Sequence, residues 1–144
     1  MTSVQWMLQA KGEQVWSTTP EATVFEALEI MADKDIGVLL VMENERLVGI
    51  FSERDYARKV ILKGKSSSTM LVREIMTSEV FTVRLDQTIE QCMKLMTDRH
   101  IRHLPVVEKG KVLGLISIGD VVKTIISDQR TTIRQLEEYI TGRR

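Results

Sequence analysis

Gly49-Ile50-Phe51-Ser52-Glu53-Arg54-Asp55 returns 65 residues later as Gly114-Leu115-Ile116-Ser117-Ile118-Gly119-Asp120. Each stretch reads as a strand that ends in serine and enters a helix with aspartate in its first turn. Working outward, Val15 to Arg58 lies over Val80 to Lys123 at the same offset without a gap, which is the signature of an internal repeat. Thr23, Met31, Asp33, Ile36, Leu39, Val41 and Glu43 meet their own residue type at Thr88, Met96, Asp98, Ile101, Leu104, Val106 and Glu108.

The elements of one copy follow from local patterning. A short extended run, Val15 to Ser17 or Val80 to Val83, leads into a capping box, Thr23-x-x-Glu26 or Thr88-x-x-Gln91, in which side chains satisfy the free amides of a helix start. The apolar stripes Val24, Ala27, Leu28, Met31 and Ile89, Cys92, Met93, Met96 follow helical spacing. Apolar runs of strand length, Val38 to Met42 and Leu104 to Val107, turn at Glu43-Asn44-Glu45 and Glu108-Lys109-Gly110 and return as Leu47 to Phe51 and Val112 to Ile116. Second helices start at Ser52 and Ser117. The unit is β-α-β-β-α, of α/β (α+β) class, and two such units with small mixed sheets are expected to pack about a pseudo-twofold axis. The expected division is a leading helix in residues 1–14, repeats at 15–62 and 80–128, a polar linker and short helix at 63–79, and a C-terminal helix at 129–144. Ser3 is the expected cap of the leading helix and Gly12 its stop.

Composition narrows the function classes. The 144 residues carry 20 Lys plus Arg and 20 Asp plus Glu, net charge zero, and 43% are hydrophobic. Balanced charge gives no general attraction for nucleic acid, and the basic residues Lys59, Lys63, Lys65, Arg143 and Arg144 have few aromatics beside them for base stacking. A nucleic-acid partner is therefore not expected. One cysteine, Cys92, fits a reducing, cytoplasmic setting, no apolar run approaches the roughly 20 residues of a membrane span, and Gln5, Gln9 and Lys11 interrupt any leader. Gly64-Lys65-Ser66 imitates a P-loop, but Lys59 stands where its first glycine belongs. Leu115 likewise breaks a nucleophile elbow at Ser117. His100, His103 and Cys92 do not make a zinc set, since the cysteine lies on an apolar helix face. Cys92 and the methionines at 31, 93 and 96 read as core. No nucleophile has an adjacent base, and neither an enzyme nor a metal site is expected.

The paired Gly-h-h-Ser-x-x-Asp has two readings. A helix start with a hydroxyl suits a phosphate, and an aspartate accepts two hydrogen bonds from a vicinal diol such as ribose; equally, the serine is an N-cap and the aspartate a helix-start carboxylate. The doubled unit carrying this motif resembles a tandem pair of cystathionine-β-synthase (CBS) domains, a Bateman module, over roughly Val15 to Ile126. The segments Arg73-Glu74-Ile75-Met76-Thr77 and Arg102-His103-Leu104-Pro105-Val106-Val107 strengthen the resemblance, which extends to stand-alone bacterial proteins of this layout. It implies a regulatory module that binds an adenosyl ligand, AMP, ATP, NAD or S-adenosylmethionine, in clefts between the repeats. By the same resemblance Asp55 and Asp120 hold the ribose, Ser52 and Ser117 sit near ribose and phosphate, and backbone near Ser17-Thr18 and Thr82-Val83 holds adenine. Arg54 and the Arg99, Arg102 and His103 group are candidate phosphate ligands, with a solvated helix end and loop as the alternative for Arg99 and Arg102 and packing for His103. The resemblance also implies a homodimer and an effector protein yet to be named. The apolar faces of the leading helix (Val4, Met7, Leu8) and of the tail (Ile133, Leu136, Tyr139, Ile140) add weight to the dimer, with packing back onto their own repeats as the alternative. The alternative is an adaptor with vestigial clefts that serves only as a dimerising platform.

Overall fold

The computed structural model describes residues 2–12 and 14–141; Arg143 and Arg144 lie outside them. In chain order the elements are α1 (Val4–Lys11), β1 (Ser17–Thr18), α2 (Val24–Lys34), β2 (Val38–Glu43), β3 (Arg46–Ser52), α3 (Glu53–Tyr56) with a π-helical turn (Ala57–Ile61), α4 (Val72–Ile75), α5 (Ile89–Arg99), β4 (His103–Glu108), β5 (Lys111–Ser117) and α6 (Ile118–Thr141). They gather into two compact units. One is Val15–Phe81; the other joins the N-terminal segment up to Gln14 with the chain from Thr82 onward.

In the Val15–Phe81 unit the sheet order is β1-β2-β3, with β1 parallel and β3 antiparallel to β2. Helix α2 forms because the Thr23–Glu26 capping box closes its start, and Asp35 ends it in the left-handed conformation at φ 54°. Its buried face, Val24, Ala27 and Met31, packs with Leu39, Val41, Phe51, Val60, Val72 and Ile75 into the core. The hairpin turns on two residues, Asn44 and Glu45, both at positive φ, the conformation that matches strand twist. It is one residue tighter than the sequence suggests. The second unit repeats the design with a Thr88–Gln91 box, a left-handed His100 end and a Lys109-Gly110 turn. Both hairpins carry a bulge one step from the turn, between Val41 and Met42 and between Val106 and Val107.

Four expectations change. The run Val80 to Val83 is not a strand, and the second sheet is β4-β5 with only Val83 bridged to Val106. The reason is Pro105: its counterpart Leu40 donates its N–H to the Trp16 carbonyl at 3.2 Å, and proline has none to donate. Secondly, residues 63–69 are no linker between units. Ser67 and Met70 carbonyls accept the first amides of α2, from Phe25 and Val24, both at 2.9 Å, and the unit boundary falls at Phe81. Thirdly, the expected boundary at 128/129 lies inside the single 24-residue helix α6. Lastly, the apolar face of the leading helix lends no weight to a dimer, because Val4, Met7 and Leu8 are buried within its own unit.

Helix α1 does for the second unit what residues 70–77 do for the first. Val72 and Arg73 amides donate to Ala22 and Pro20 carbonyls; Val4 and Gln5 amides donate to Gln87 and Leu85, the same positions 65 residues on. Thr23 bridges Leu71, and Thr88 bridges Ser3. This exchange explains the glycine of the repeated motif. A Cβ at Gly49 would come within 2.6 Å of Met76 Sδ, and one at Gly114 within 2.6 Å of Leu8 Cδ2, so each glycine admits the side chain of its lead-in segment. Val4, Met7 and Leu8 are accordingly buried, at 0%, 3% and 3% exposure.

Candidate functional site

Each Ser-x-x-Asp lies where a hairpin's returning strand becomes a helix. In the first repeat Ser52 Oγ accepts the Asp55 amide at 3.2 Å, while the Ser52 amide and hydroxyl donate to Asp55 Oδ2 at 3.0 and 3.1 Å. The other oxygen, Oδ1, accepts from Thr77 Oγ1 at 3.3 Å and pairs with Lys59 Nζ at 3.2 Å. Both oxygens of this carboxylate are engaged. Thr77 is fixed by a reciprocal backbone pair with Ile50, at 2.8 and 3.0 Å, and Lys59 also donates to the Ile75 carbonyl.

In the second repeat Ser117 Oγ accepts the Asp120 amide at 3.1 Å and the Ser117 amide donates to Asp120 Oδ2 at 2.8 Å. Here the supporting cation is Lys11, from the end of α1. Its Nζ donates to Asp120 Oδ2 at 2.6 Å and to the Leu115 carbonyl at 2.7 Å. An ammonium has three donors, so the described residues use two. They donate nothing to Asp120 Oδ1. Burial pushes the Asp120 carboxyl up, but the bonds from Lys11 and the Ser117 amide together outweigh it and hold it below its usual range.

His103 stands opposite Ser117 in the β4–β5 ladder, where the first repeat has buried Val38 opposite Ser52. Burial holds its pKa below the usual histidine value; the Lys11 charge adds to this, Asp120 opposes it, and Arg102 contributes a smaller depression. A neutral imidazole beside a lysine-held carboxylate therefore distinguishes this repeat.

The structure brings together Ser52 with Asp55, and Ser117 with Asp120 and His103. Thr18 is buried on β1, with β2 between it and the strand of Ser52. Thr82 is exposed and Val83 buried beside Val106. Arg54 is exposed in the first turn of α3, Arg99 at the end of α5, and Arg102 just before β4, where its carbonyl accepts the Ile118 amide at 2.8 Å. An open groove of about 410 Å³ in the first repeat is lined by α2 and by Ile36, Gly37 and Glu53, with Asp35 and Glu53 giving it an acidic rim. Sequence reasoning missed Lys11, Thr77 and Lys59. Lys59 has a signal, the i, i+4 spacing from Asp55; Lys11 and Thr77 arrive from other segments and have none. Among the described residues no group of three or more His, Cys, Asp or Glu is placed to hold a metal, and no helix is long and apolar enough to cross a membrane.

Comparison with known proteins adds three findings. The model of the CBS domain matches residues 13–62 and 72–127. The mitochondrial CBS domain-containing protein CBSX3 of Arabidopsis thaliana is 40% identical over 92% of this chain, which spans 66% of that protein's length. A signal-transduction protein with CBS domains from Burkholderia ambifaria, whose assignment to signalling is provisional in its own description, superposes with a TM-score of 0.85 at 46% identity, over 89% of this chain and 96% of that one. The same fold, at 23% identity and a TM-score of 0.77 over 89% of this chain and 98% of the other, is found in a CBS domain pair solved with 5′-methylthioadenosine and S-adenosyl-L-methionine.

Proposed function

The chain belongs to the CBS-domain family, and from that premise we propose that it is a regulatory module, not a catalyst, which binds an adenosyl ligand of the AMP, ATP, NAD or S-adenosylmethionine type. Occupancy is passed to an effector protein or to the module's own assembly as a homodimer in the cytoplasm. The observation that carries this reading is the same Ser-x-x-Asp placed at the same strand-to-helix junction in both repeats. That a distant member of the fold accommodates adenosyl ligands supports it.

The second repeat is the better placed of the two. Asp120 keeps Oδ1 for a ribose hydroxyl, and Lys11 keeps one donor for an anionic group of the ligand. Asp55 would have to surrender a bond from Thr77 or Lys59 first. Calorimetry with AMP on Asp55→Asn and Asp120→Asn tests the ribose role, because asparagine retains an oxygen for the cap while losing the charge. The larger loss is expected for Asp120→Asn; unchanged binding in both removes the role.

A second reading has its own observation in favour. Each Ser-x-x-Asp already closes a capping box within its own repeat, so the motif has structural work without any ligand, as an adaptor with vestigial clefts requires. A thermal-shift panel separates the two, since a ligand at 100 times its dissociation constant adds about 2.7 kcal/mol of stability. A shift with one adenosyl compound favours the sensor, and none across the panel favours the adaptor.

A further inference from the structure

Helix α6 buries only Val121 and Thr124. From Ile126 onward no residue of it is buried, yet this stretch is not polar throughout. Ile126, Ile133, Leu136 and Ile140 are 43%, 55%, 56% and 80% exposed, and with Val122 and Gln129 they recur at the 4, 3, 4, 3, 4 spacing of a coiled-coil seam. Thr131, Thr132 and Ile133 are weak helix formers, and an isolated helix this short is marginal in water. Its stability calls for a covering partner.

The pattern is also a palindrome. Val122 and Ile140, Ile126 and Leu136, and Gln129 and Ile133 are each equidistant from Thr131. Laid antiparallel on itself about that point, the helix sets each of these residues against the other member of its pair, so that four of the six layers are wholly apolar and the two at the middle set Gln129 against Ile133. Beside the seam, Lys123 of one copy falls next to Glu137 of the other, twice, against a single Arg130–Arg130 encounter at the middle. A parallel pairing brings no opposite charges together, because the positions that would face these residues are Ile118, Ile125 and Thr132. Antiparallel packing also opposes the helix dipoles.

We propose that the C-terminal half of α6 is a self-association surface, covered by the same half-helix of a second copy in an antiparallel two-stranded coiled coil. This specifies the assembly named above and does not depend on the ligand, so a monomer would overturn it while leaving ligand binding to be judged by calorimetry.

Sedimentation across protein concentration is expected to show a dimer, with Ile133→Glu shifting it to monomer at least tenfold more readily, the equivalent of about 1.4 kcal/mol. Because Ile133 is exposed, the fold survives the change, as circular dichroism would verify. Orientation is read from Arg130→Cys. In the antiparallel coil position 130 lies beside its own copy and oxidation gives a covalent dimer; in a parallel coil the two lie on opposite flanks. Arg130→Gln, which relieves the central repulsion, is expected to tighten the dimer. A monomer at all concentrations, or a dimer that Ile133→Glu leaves intact, overturns the surface. A dimer that Arg130→Cys fails to link overturns the orientation.

Discussion

Lys11 and His103 answer to the same carboxylate, and one can be used to read the other. Replacing Lys11 with Met removes a charge that depresses His103 and leaves the pull of Asp120 opposed only by burial and the smaller effect of Arg102. The His103 pKa should therefore rise toward its ordinary value while burial still restrains it. An NMR titration of the ring protons checks this; an unmoved midpoint would contradict the geometry. The sign of the linked stability follows. With a folded pKa below that of the unfolded chain, about 6.5, His103 supports folding fully above that value. The support is lost as pH falls toward the lowered pKa, since the unfolded state takes up the proton first. His103→Gln should remove that step from a plot of urea midpoint against pH. Asp120 also titrates low, so its own contribution disappears only in stronger acid, below the ordinary aspartate value of 3.8. The pairing of Ser52 with Asp55 and of Ser117 with Asp120 was legible in the sequence because three residues separate the members. Lys11 was not legible, because no local pattern marks a side chain that bonds more than a hundred residues along the chain.

At the scale of elements, the glycines at 49 and 114 hold the lead-in segments against the sheets. Gly114→Ala is expected to cost about 1–3 kcal/mol, the usual range for overpacking, and Leu8→Ala about 2–5 kcal/mol through the cavity left behind. Since the new methyl occupies part of the space that Leu8 leaves, the double variant should cost less than the sum of the two. A urea-denaturation cycle gives the coupling, and strict additivity would mean the two positions do not touch. The helices and hairpins were readable beforehand because their signals are local: Thr23 with Glu26, Thr88 with Gln91, and apolar runs broken by polar turns. The missing first strand of the second repeat has an equally local cause in Pro105, but one that acts across strands. Its effect needs the register Val83 to Val106 before it can be seen. The end of the π-helical turn at Ile61 depends on what that helix packs against, which residue patterns do not state.

At the scale of the molecule, the repeat announced two units but not which parts of the chain complete each. Pairing by offset assigned residues 1–14 to neither repeat and left Arg73 to Thr77 in the linker at 63–79, whereas hydrogen bonds give the first segment to the second unit and the latter to the first. Removing residues 2–12 should therefore damage a region remote in sequence. Exchange protection is expected to fall across α5, β4 and β5, where Ile89 loses the Thr2 carbonyl and the Leu115 carbonyl loses Lys11. The strands Val38–Ser52 should retain theirs. Hydrogen–deuterium exchange resolved by peptide decides it, and equal loss in both regions would contradict the assignment.

The crossed lead-ins also set a timetable for synthesis. As the chain leaves the ribosome, the first unit has every segment it needs once Thr77 has emerged, and its lead-in closes back onto Pro20 and Ala22 without waiting for the second repeat. Helix α1 emerges before all of this, yet the strand that receives Leu8 and the carboxylate that receives Lys11 are made more than a hundred residues later. The earliest helix is thus the last to dock. Until then its apolar face, Val4, Met7 and Leu8, is open to chaperones and to neighbouring chains, and a fast-translating message or a bulky N-terminal fusion would act on the second unit, not on the one nearer the N-terminus.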